Sequence, residues 1–245
     1  MEWIGVCAFL ILAVLLSSLR SPGSIGRRGE LKLKSKIDSQ LNDGTYHAFH
    51  DVVLPSPDGS TQIDHVLISR YGIFVIETKN MKGWIFGGER ERVWTQVLFR
   101  RRHTFLNPLR QNYKHLKAVE AALGINPKRL HSVVVFTGRA QFKTPMPDNV
   151  MGVQDFVGYV RSQTLVEFND SDVLAAVLKF EKSAISVPDA NRFHLQNLYR
   201  NRENPSCPVC GKKMTLRTAR RGSQIGSQFW GCTGYPGCKR TKHVA

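Results

Sequence analysis

Four cysteines lie close together near the C-terminus, and their spacing constrains the chain more than any other feature. Cys207 and Cys210 are separated by two residues, 21 residues follow, and Cys232 and Cys238 are separated by five. Two thiolates on a tight turn form half of a tetrahedral site, and the second pair completes it. We therefore predict that the four bind one structural Zn²⁺, which supplies folding energy to a segment too short for its own core. The alternative is two disulfides, which a reducing compartment would disfavour.

The charge of the chain is strongly positive. Its 245 residues include 35 Lys and Arg against 19 Asp and Glu, a formal net charge of +16. Residues 196–245 alone contain ten Lys and Arg and one acidic residue, and we interpret Arg100-Arg-Arg-His103 as a solvated basic patch. This balance argues against an acidic-surfaced enzyme of small metabolites and indicates a polyanionic partner, either nucleic acid or an anionic membrane surface. A protein that only meets anionic lipid would not explain a cysteine module rich in aromatic residues.

The N-terminus is an uncharged apolar run from Trp3 to Leu19. Its 17 residues are just short of the roughly 20 that cross a bilayer. Basic residues follow the run, so the positive-inside rule places the remainder of the chain in the cytoplasm. We predict a single-pass anchor at 1–20 in the cytoplasmic (inner) membrane and a flexible basic linker at 21–29. A cleaved signal peptide and a buried core helix are the alternatives.

The middle of the chain alternates strand and helix patterns. The order predicts an α/β architecture with a mixed sheet and flanking helices. Residues 184–204 are a helical linker in this interpretation, and 205–245 form the cysteine module. Strand patterns occur at 49–54, 62–69, 73–79, 84–86, 93–99 and 130–136, and helical patterns begin near Gly29, at Asn107-Pro108, and over 154–161 and 171–183.

One strand pattern ends in Glu77-Thr78-Lys79, and the preceding strand contains Asp64. Period-two geometry places Glu77 and Lys79 on one face. A two-residue loop between the strands would place Asp64 opposite Glu77 or Lys79, whereas a three-residue loop would pair it with Thr78 and separate the cluster.

Facing carboxylates need a cation between them, and oxygen ligands suit Mg²⁺ or Mn²⁺. With Lys79 at the attacking water or the phosphate, this set is suited to phosphodiester hydrolysis. The alternative is a solvated ion pair at a strand end.

These segments resemble the nuclease-related domain, NERD, which is grouped with the restriction-endonuclease-like PD-(D/E)xK fold. The resemblance spans about 24–140 and implies metal-binding and catalytic residues at Glu30, Asp64, Glu77 and Lys79, with Gln111 on the helix after the sheet. The alternative is that Glu30 is a first-turn carboxylate that interacts favourably with the helix dipole and that Gln111 is a surface residue. The motifs are Gly26-Arg-Arg-Gly-Glu30, Gln62-Ile-Asp64-His65, Gly72-Ile-Phe-Val-Ile-Glu77-Thr-Lys79-Asn80, Trp84 and Asn107-Pro-x-x-Gln111.

The C-terminal segment from Cys207 to about Lys242 resembles the four-cysteine zinc finger of bacterial type IA DNA topoisomerases. The shared motifs are Cys-Pro-x-Cys-Gly-x-x-Met, Arg-x-x-Arg-Arg-Gly, Phe-Trp-Gly-Cys and Tyr-Pro-x-Cys. The resemblance implies binding of single-stranded DNA, with basic residues at phosphates and aromatic rings stacked on bases. Packing around the zinc is the alternative role for one or two of the rings. The candidate DNA-binding residues are Arg217, Arg220, Arg221, Phe229, Trp230, Tyr235, Lys239, Arg240 and Lys242.

Together these features predict a membrane-anchored, metal-dependent nuclease whose zinc finger holds DNA. The chain is too short for the catalytic toroid of a topoisomerase, so it is not a topoisomerase by itself. The alternative is a catalytically inactive protein that binds DNA and tethers it to the membrane. A metal site at Asp64, Glu77 and Lys79 with functional consequences would support the enzyme.

Overall fold

The computed structural model describes residues 22–41, 43–57, 59–185, 205, 207, 209–210, 212–219 and 226–243. These residues fall into two compact units. The larger unit extends to Ile185, and the smaller unit contains the four C-terminal cysteines.

The larger unit is built from four helices and nine strands among the described residues. The helices are α1 (Pro22–Gln40), α2 (Pro108–Leu123), α3 (Phe156–Ser162) and α4 (Asp170–Ser183), with one 3₁₀ turn at Pro127–Arg129. The strands are β1 (Tyr46–Ser56), β2 (Gly59–Ser69), β3 (Gly72–Lys79), β4 (Gly83–Phe86), β5 (Val93–Leu98), β6 (Arg101–Leu106), β7 (Leu130–Phe136), β8 (Ala140–Phe142) and β9 (Val150–Gly152).

A five-stranded mixed sheet forms the centre of this unit, in the order β1-β2-β3-β7-β9. Strand β3 pairs antiparallel with β2 and parallel with β7, and β9 pairs parallel with β7. The predicted α/β class with a mixed sheet is therefore confirmed. Because β3 and β7 are parallel, their carboxyl ends meet at one edge of the sheet, where Lys79 is opposite Phe136.

Helices cover both faces of this sheet. Alternate residues of β3 point to opposite faces, so Val75 packs with α2 and α4, while Phe74 and Ile76 pack with α1 and α3. The helical pattern predicted over 171–183 corresponds to α4, which lies beyond the segment of about 24–140 that resembles the nuclease-related domain. This helix completes one of the two main apolar cores. The larger unit is therefore a three-layer α/β/α sandwich.

A second sheet has the order β6-β5-β4-β8, and one of its faces packs around the buried Trp94 and Phe136. The basic patch predicted at Arg100-Arg-Arg-His103 is exposed, and its residues from Arg101 onward also form edge strand β6. Most side chains of β6 are exposed, so its sequence shows no apolar alternation. The helix start at Asn107-Pro108 was predicted correctly: the Asn107 side chain accepts from the Leu109 N–H.

Helix α1 begins earlier than predicted, which corrects the expectation of a flexible linker at 21–29. The helix starts at Pro22, a residue tolerated in a first helical turn because its missing N–H would be unpaired there. Gly29 was interpreted as a helix start, but it lies within the helix. A Cβ there would come within 2.6 Å of Asn80 Cβ and of Thr137 Oγ1. The glycine thus lets α1 approach the ends of β3 and β7 closely.

Two predicted segments lie outside the described residues: the apolar run from Trp3 to Leu19 and nearly all of the linker at 184–204. Within the described part of the chain, no helix combines the length and the apolar character that crossing a membrane requires.

Candidate active site and metal centre

The candidate catalytic residues of β2 and β3 are brought together by a two-residue turn. Ser69 pairs with Gly72 and His65 with Ile76, so paired positions sum to 141. The same register, continued by one residue, places Asp64 opposite Glu77. This is the geometry that the sequence argument required for a cluster on one face.

Glu77 is held by two side chains at the end of β3. Its side chain is only 3% exposed; Oε1 lies 2.7 Å from Lys79 Nζ and Oε2 lies 3.1 Å from His115 Nε2. Lys79 Nζ also donates to Gln111 Oε1 at 3.0 Å. Both oxygens of the buried carboxylate thus have a partner, as a buried charge requires.

His115 is a site residue that the sequence analysis missed. It is 5% exposed, and its Nδ1 lies 2.8 Å from the Thr61 hydroxyl. A neutral imidazole here donates Nε2–H to Glu77 and accepts the Thr61 proton at Nδ1. The sequence feature that could have identified His115 is its position four residues after Gln111 on α2, because residues at that spacing share a helix face.

Asp64 lies against Glu77 in a desolvated position. Its Oδ2 accepts the Thr78 N–H at 2.7 Å. Burial, followed by the negative charge of Glu77, raises the pKa of Asp64 from 3.8 to about 7. Burial, followed by the charges of Asp51 and Glu77, also raises the pKa of Glu30. The structure therefore assembles a group of mutually repelling carboxylates.

We expect Asp64→Asn to stabilise the folded protein above neutral pH. Because the folded-state pKa of Asp64 is raised to about 7 from 3.8, folding takes up a proton between these values. The stabilising contribution of the protonated Asp64 is therefore fully present below this window, decreases as the pH rises through it and is lost above it, which lowers the free energy of unfolding by about 4 kcal/mol. Asparagine keeps the acceptor for Thr78 N–H without the charge. Urea unfolding of residues 21–245 at pH 5 and pH 8 measures the difference, and equal stability of the two proteins at pH 8 would contradict the expectation.

An open cleft of about 470 Å³ lies beside these carboxylates. Asp51, which the sequence analysis did not single out, lines the cleft and accepts a hydrogen bond from Gln62 Nε2. Its backbone has a φ of 55°, a conformation that Asp tolerates better than most residues. The cleft is lined by Arg27, Glu30, Leu31, Lys34, Ala48, Phe49, His50, Asp51, Asp64 and His65.

His65, next to Asp64 in sequence, has a structural role. Its Nδ1 lies 2.8 Å from Nδ1 of His50, whose Nε2 contacts Asp38. Burial, followed by the His50 charge, lowers the pKa of His65 to about 3. A neutral His65 therefore joins β1 to β2.

The predicted Mg²⁺ or Mn²⁺ site is not shown by the structure. Among the described residues, the four cysteines are the one group of three or more His, Cys, Asp or Glu whose donor atoms lie close enough to hold a metal. The oxygens of Glu77 contact Lys79 and His115 instead. The repulsion among Glu30, Asp64 and Glu77 is nevertheless of the kind that a divalent cation relieves.

The four cysteines fit zinc. All four Sγ atoms lie within 4.8 Å of one another, with Cys207 and Cys238 at 3.6 Å and Cys210 and Cys232 at 3.3 Å. A tetrahedron with Zn–S bonds of about 2.3 Å has edges of about 3.8 Å. All four described cysteines are free thiols, so the alternative of two disulfides is not observed.

Three antiparallel strands hold the cysteines: β10 (Met214–Thr218), β11 (Gln228–Cys232) and β12 (Thr241–His243). Arg217 pairs with Phe229 and lies over Gly231, where a Cβ would be 2.9 Å from Arg217 Cδ. Trp230 belongs to the neighbouring row and packs against the cysteine core, so packing is its observed role.

Of the other candidate DNA-binding residues, some are exposed and two lie outside the described residues. Tyr235 is 62% exposed, and Lys239, Arg240 and Lys242 are also exposed. Arg220 and Arg221 lie outside the described residues.

Comparisons with known proteins match the two units separately. Residues 25–137 match the family model of the nuclease-related domain, NERD, and residues 204–245 match that of the topoisomerase DNA-binding C4 zinc finger. The uncharacterised protein pXO1-01 of Bacillus anthracis is 44% identical over 118 residues, which cover 45% of this chain and 55% of that protein. The chain thus spans about half the length of this relative.

A solved structure, that of the protein of unknown function AF1548, aligns with a TM-score of 0.33 and 10% identity over 72% of this chain and 97% of that one. The two matches cover different parts of the chain: one segment is similar to the nuclease-related domain, and the C-terminal segment is similar to the zinc finger of the topoisomerase type.

Proposed function

We propose that the chain is a metal-dependent nuclease that hydrolyses DNA phosphodiesters at the end of β3, beside the cleft that Glu30 and Asp64 line. The observation that supports this most strongly is the meeting of Asp64, Glu77 and Lys79 at one sheet edge, inside the segment that matches the nuclease-related domain. The pKa of Asp64 raised to about 7 adds support, because strongly perturbed groups cluster at functional sites.

In this proposal Asp64 and Glu77 bind Mg²⁺ or Mn²⁺ and Glu30 assists them. The ion would supply charge neutralisation at the scissile phosphate and an activated water. Glu77 and Gln111 fix the Lys79 ammonium with two of its three donors. The third is then available for a phosphate oxygen or the attacking water. His115 orients the Glu77 carboxylate through the second oxygen.

The zinc finger would bind single-stranded DNA. Arg217 and Phe229, opposite each other on β10 and β11, offer a cation and a ring on one face. Tyr235 adds an exposed ring, and Lys239 and Arg240 add charges for phosphates.

A second candidate function is an inactive DNA-binding protein. One observation favours it: both oxygens of Glu77 are bound by Lys79 and His115, so metal binding must compete with these contacts.

Cleavage assays separate the two functions. Residues 21–245, purified with zinc, are incubated with single-stranded, nicked and duplex DNA, and with single-stranded RNA, in Mg²⁺, Mn²⁺ or EDTA. The nuclease predicts cleavage that requires the divalent ion. Intact DNA in every lane, with binding retained, would reject the nuclease on these substrates and support the inactive DNA-binding protein.

We also propose that residues 3–19 anchor the chain in the cytoplasmic membrane, with both folded units in the cytoplasm. The uncharged run and the basic residues after it support this. The full chain is expected to remain with the inner-membrane fraction after carbonate washing, whereas residues 21–245 are expected in the supernatant. The same distribution for both proteins would contradict the anchor.

A further inference from the structure

Among the described residues, one face of the second sheet is covered and the other is not. Strand pairing places Trp84 opposite Val97 and Val97 opposite Arg102 in one row across three strands. The adjacent row contains the buried Ile85 and belongs to the core around Trp94. We call the uncovered side the open face. The residues on it include Trp84, Phe86, Val93, Val97, Arg102 and Leu106.

The open face displays large apolar side chains to solvent. Trp84 is 49% exposed, Val93 44% and Leu106 64%. None of these three residues belongs to an apolar core of the described chain. Several large apolar side chains exposed on one face of a folded unit indicate a binding site.

The charge of this sheet identifies the kind of partner. The strands β4, β5, β6 and β8 contain no Asp or Glu, although the chain has 19. Arg102 lies in the row of Trp84, and Lys143 Nζ lies 5.0 Å from the Trp84 ring centre. The partner must therefore combine flat apolar surface with negative charge. A second copy of the same face would bring like charges together, and duplex DNA keeps the faces of its bases stacked inside.

The turn between β5 and β6 adds a further exposed ring. Leu98 pairs with Arg101, which leaves Phe99 and Arg100 as a two-residue turn. Phe99 is 94% exposed and has a φ of 55°, a left-handed conformation that bulky residues rarely adopt. Such backbone strain clusters at functional positions, and this ring lies next to arginines.

We infer that the open face binds single-stranded nucleic acid, with a base stacked on Trp84 and phosphates at Arg102 and Lys143. Sheet faces with aromatic rings bind unpaired bases in this way, and flanking cations bind the backbone. The site is separate from both the cleft and the zinc finger. The inference rests on the nucleic-acid ligand of the proposed function, but not on cleavage.

Photocrosslinking tests the placement directly. The full chain, in detergent with zinc and without Mg²⁺ or Mn²⁺, is irradiated with an oligodeoxynucleotide that contains 5-iododeoxyuridine, and crosslinked tryptic peptides are identified by mass spectrometry. We expect a crosslink at Trp84, in the peptide of residues 83–90. Crosslinks confined to residues 205–245 would overturn the inference.

Affinity measurements provide the second readout. In a chain that also has Phe229→Ala, which weakens the zinc finger, Trp84→Ala is expected to lower oligonucleotide affinity about tenfold, and Trp84→Phe by less. The matched control is Tyr113→Ala, because Tyr113 is 58% exposed and has Lys117 Nζ 5.6 Å from its ring centre. This control should change affinity less than twofold. Equal effects of Trp84→Ala and Tyr113→Ala would overturn the inference.

The remaining outcomes identify a different ligand of the open face, or separate this inference from the proposed nuclease activity. If Trp84→Ala weakens binding to anionic phospholipid vesicles but not to the oligonucleotide, the open face is a membrane surface and the inference is wrong. If it changes only the oligomeric state, the partner is a second copy and the inference is again wrong. A crosslink at Trp84 in a chain that cleaves no DNA would reject only the nuclease, and cleavage without this crosslink would reject only the open face.

Discussion

Replacing Lys79 with methionine is expected to lower metal-dependent DNA cleavage by about 10²–10³-fold while leaving DNA binding intact. The ammonium is fixed by Glu77 and Gln111 at 2.7 and 3.0 Å, and preorganised charges aimed at developing negative charge contribute on this scale. The double variant Asp64→Ala/Glu77→Ala is expected to show no cleavage above background, because it removes both proposed metal ligands. Single-turnover rates with saturating protein measure both effects without interference from product release.

The matched control for Lys79→Met is Lys82→Met. Lys82 is exposed and lies three residues further along the chain, so its loss removes the same charge outside the cluster. We expect its cleavage rate to stay within about threefold of wild type, since one exposed charge changes mainly encounter with DNA. Circular dichroism of each variant checks the fold, because Lys79→Met leaves the buried Glu77 with His115 alone. Full cleavage by the double variant would place the reaction elsewhere or in a contaminant.

Removing zinc is expected to unfold the smaller unit and leave the larger unit folded. The apolar core of the smaller unit is formed by Cys207, Met214 and Cys232, with Trp230 and Cys238 packed against it. So small a core gives little stability by itself, whereas structural zinc contributes about 10–16 kcal/mol in finger peptides. A chelator, or Cys232→Ser, should therefore abolish hydrogen-exchange protection in β10 and β11 and not in β3 and β7. Single-stranded DNA binding by the finger should fall with it.

Zinc content gives the stoichiometric check on this prediction. Wild-type protein should release one zinc per chain when its thiols are modified, and Cys232→Ser should release far less. The control is Cys7→Ser, since this cysteine is distant in sequence from the cluster and its loss should leave the zinc content unchanged. Protein that contains two disulfides and no zinc after purification under reducing conditions would show that the prediction is wrong.

The elements that sequence predicts well here are those specified by local contacts. The sequence analysis tied the placement of Asp64 to the length of the β2–β3 loop and left two lengths open, and the two-residue turn at residues 70–71 gives the register that places Asp64 opposite Glu77. The start of α2 followed from Asn107, whose side chain caps the first turn. The zinc cluster likewise followed from the spacing of its cysteines.

The parts that escaped prediction depend on long-range packing. His115 reaches Glu77 only because α2 lies across β3, 38 residues away along the chain. The role of Gly29 arises from its contact with Asn80 and Thr137, which no local pattern encodes. Strands β6, β8 and β9 are short or exposed edge segments, and these lack the apolar alternation on which strand prediction depends.

The second sheet also contributes to how firmly the Lys79 ammonium is held. Lys79 and Gln111 are 32 residues apart, and a flexible tether of that length would resist closure by about 3 kcal/mol from its length alone. The folded strands between them remove this entropic resistance. The Asn107 side-chain amide also donates to the carbonyls of Gly88, Glu89 and Glu91. These hydrogen bonds hold the start of α2 against the loop between β4 and β5. The strand segment thus fixes the separation of Lys79 and Gln111, and the core around Trp94, which includes the Phe136 that pairs with Lys79, contributes to the alignment of the proposed reaction centre.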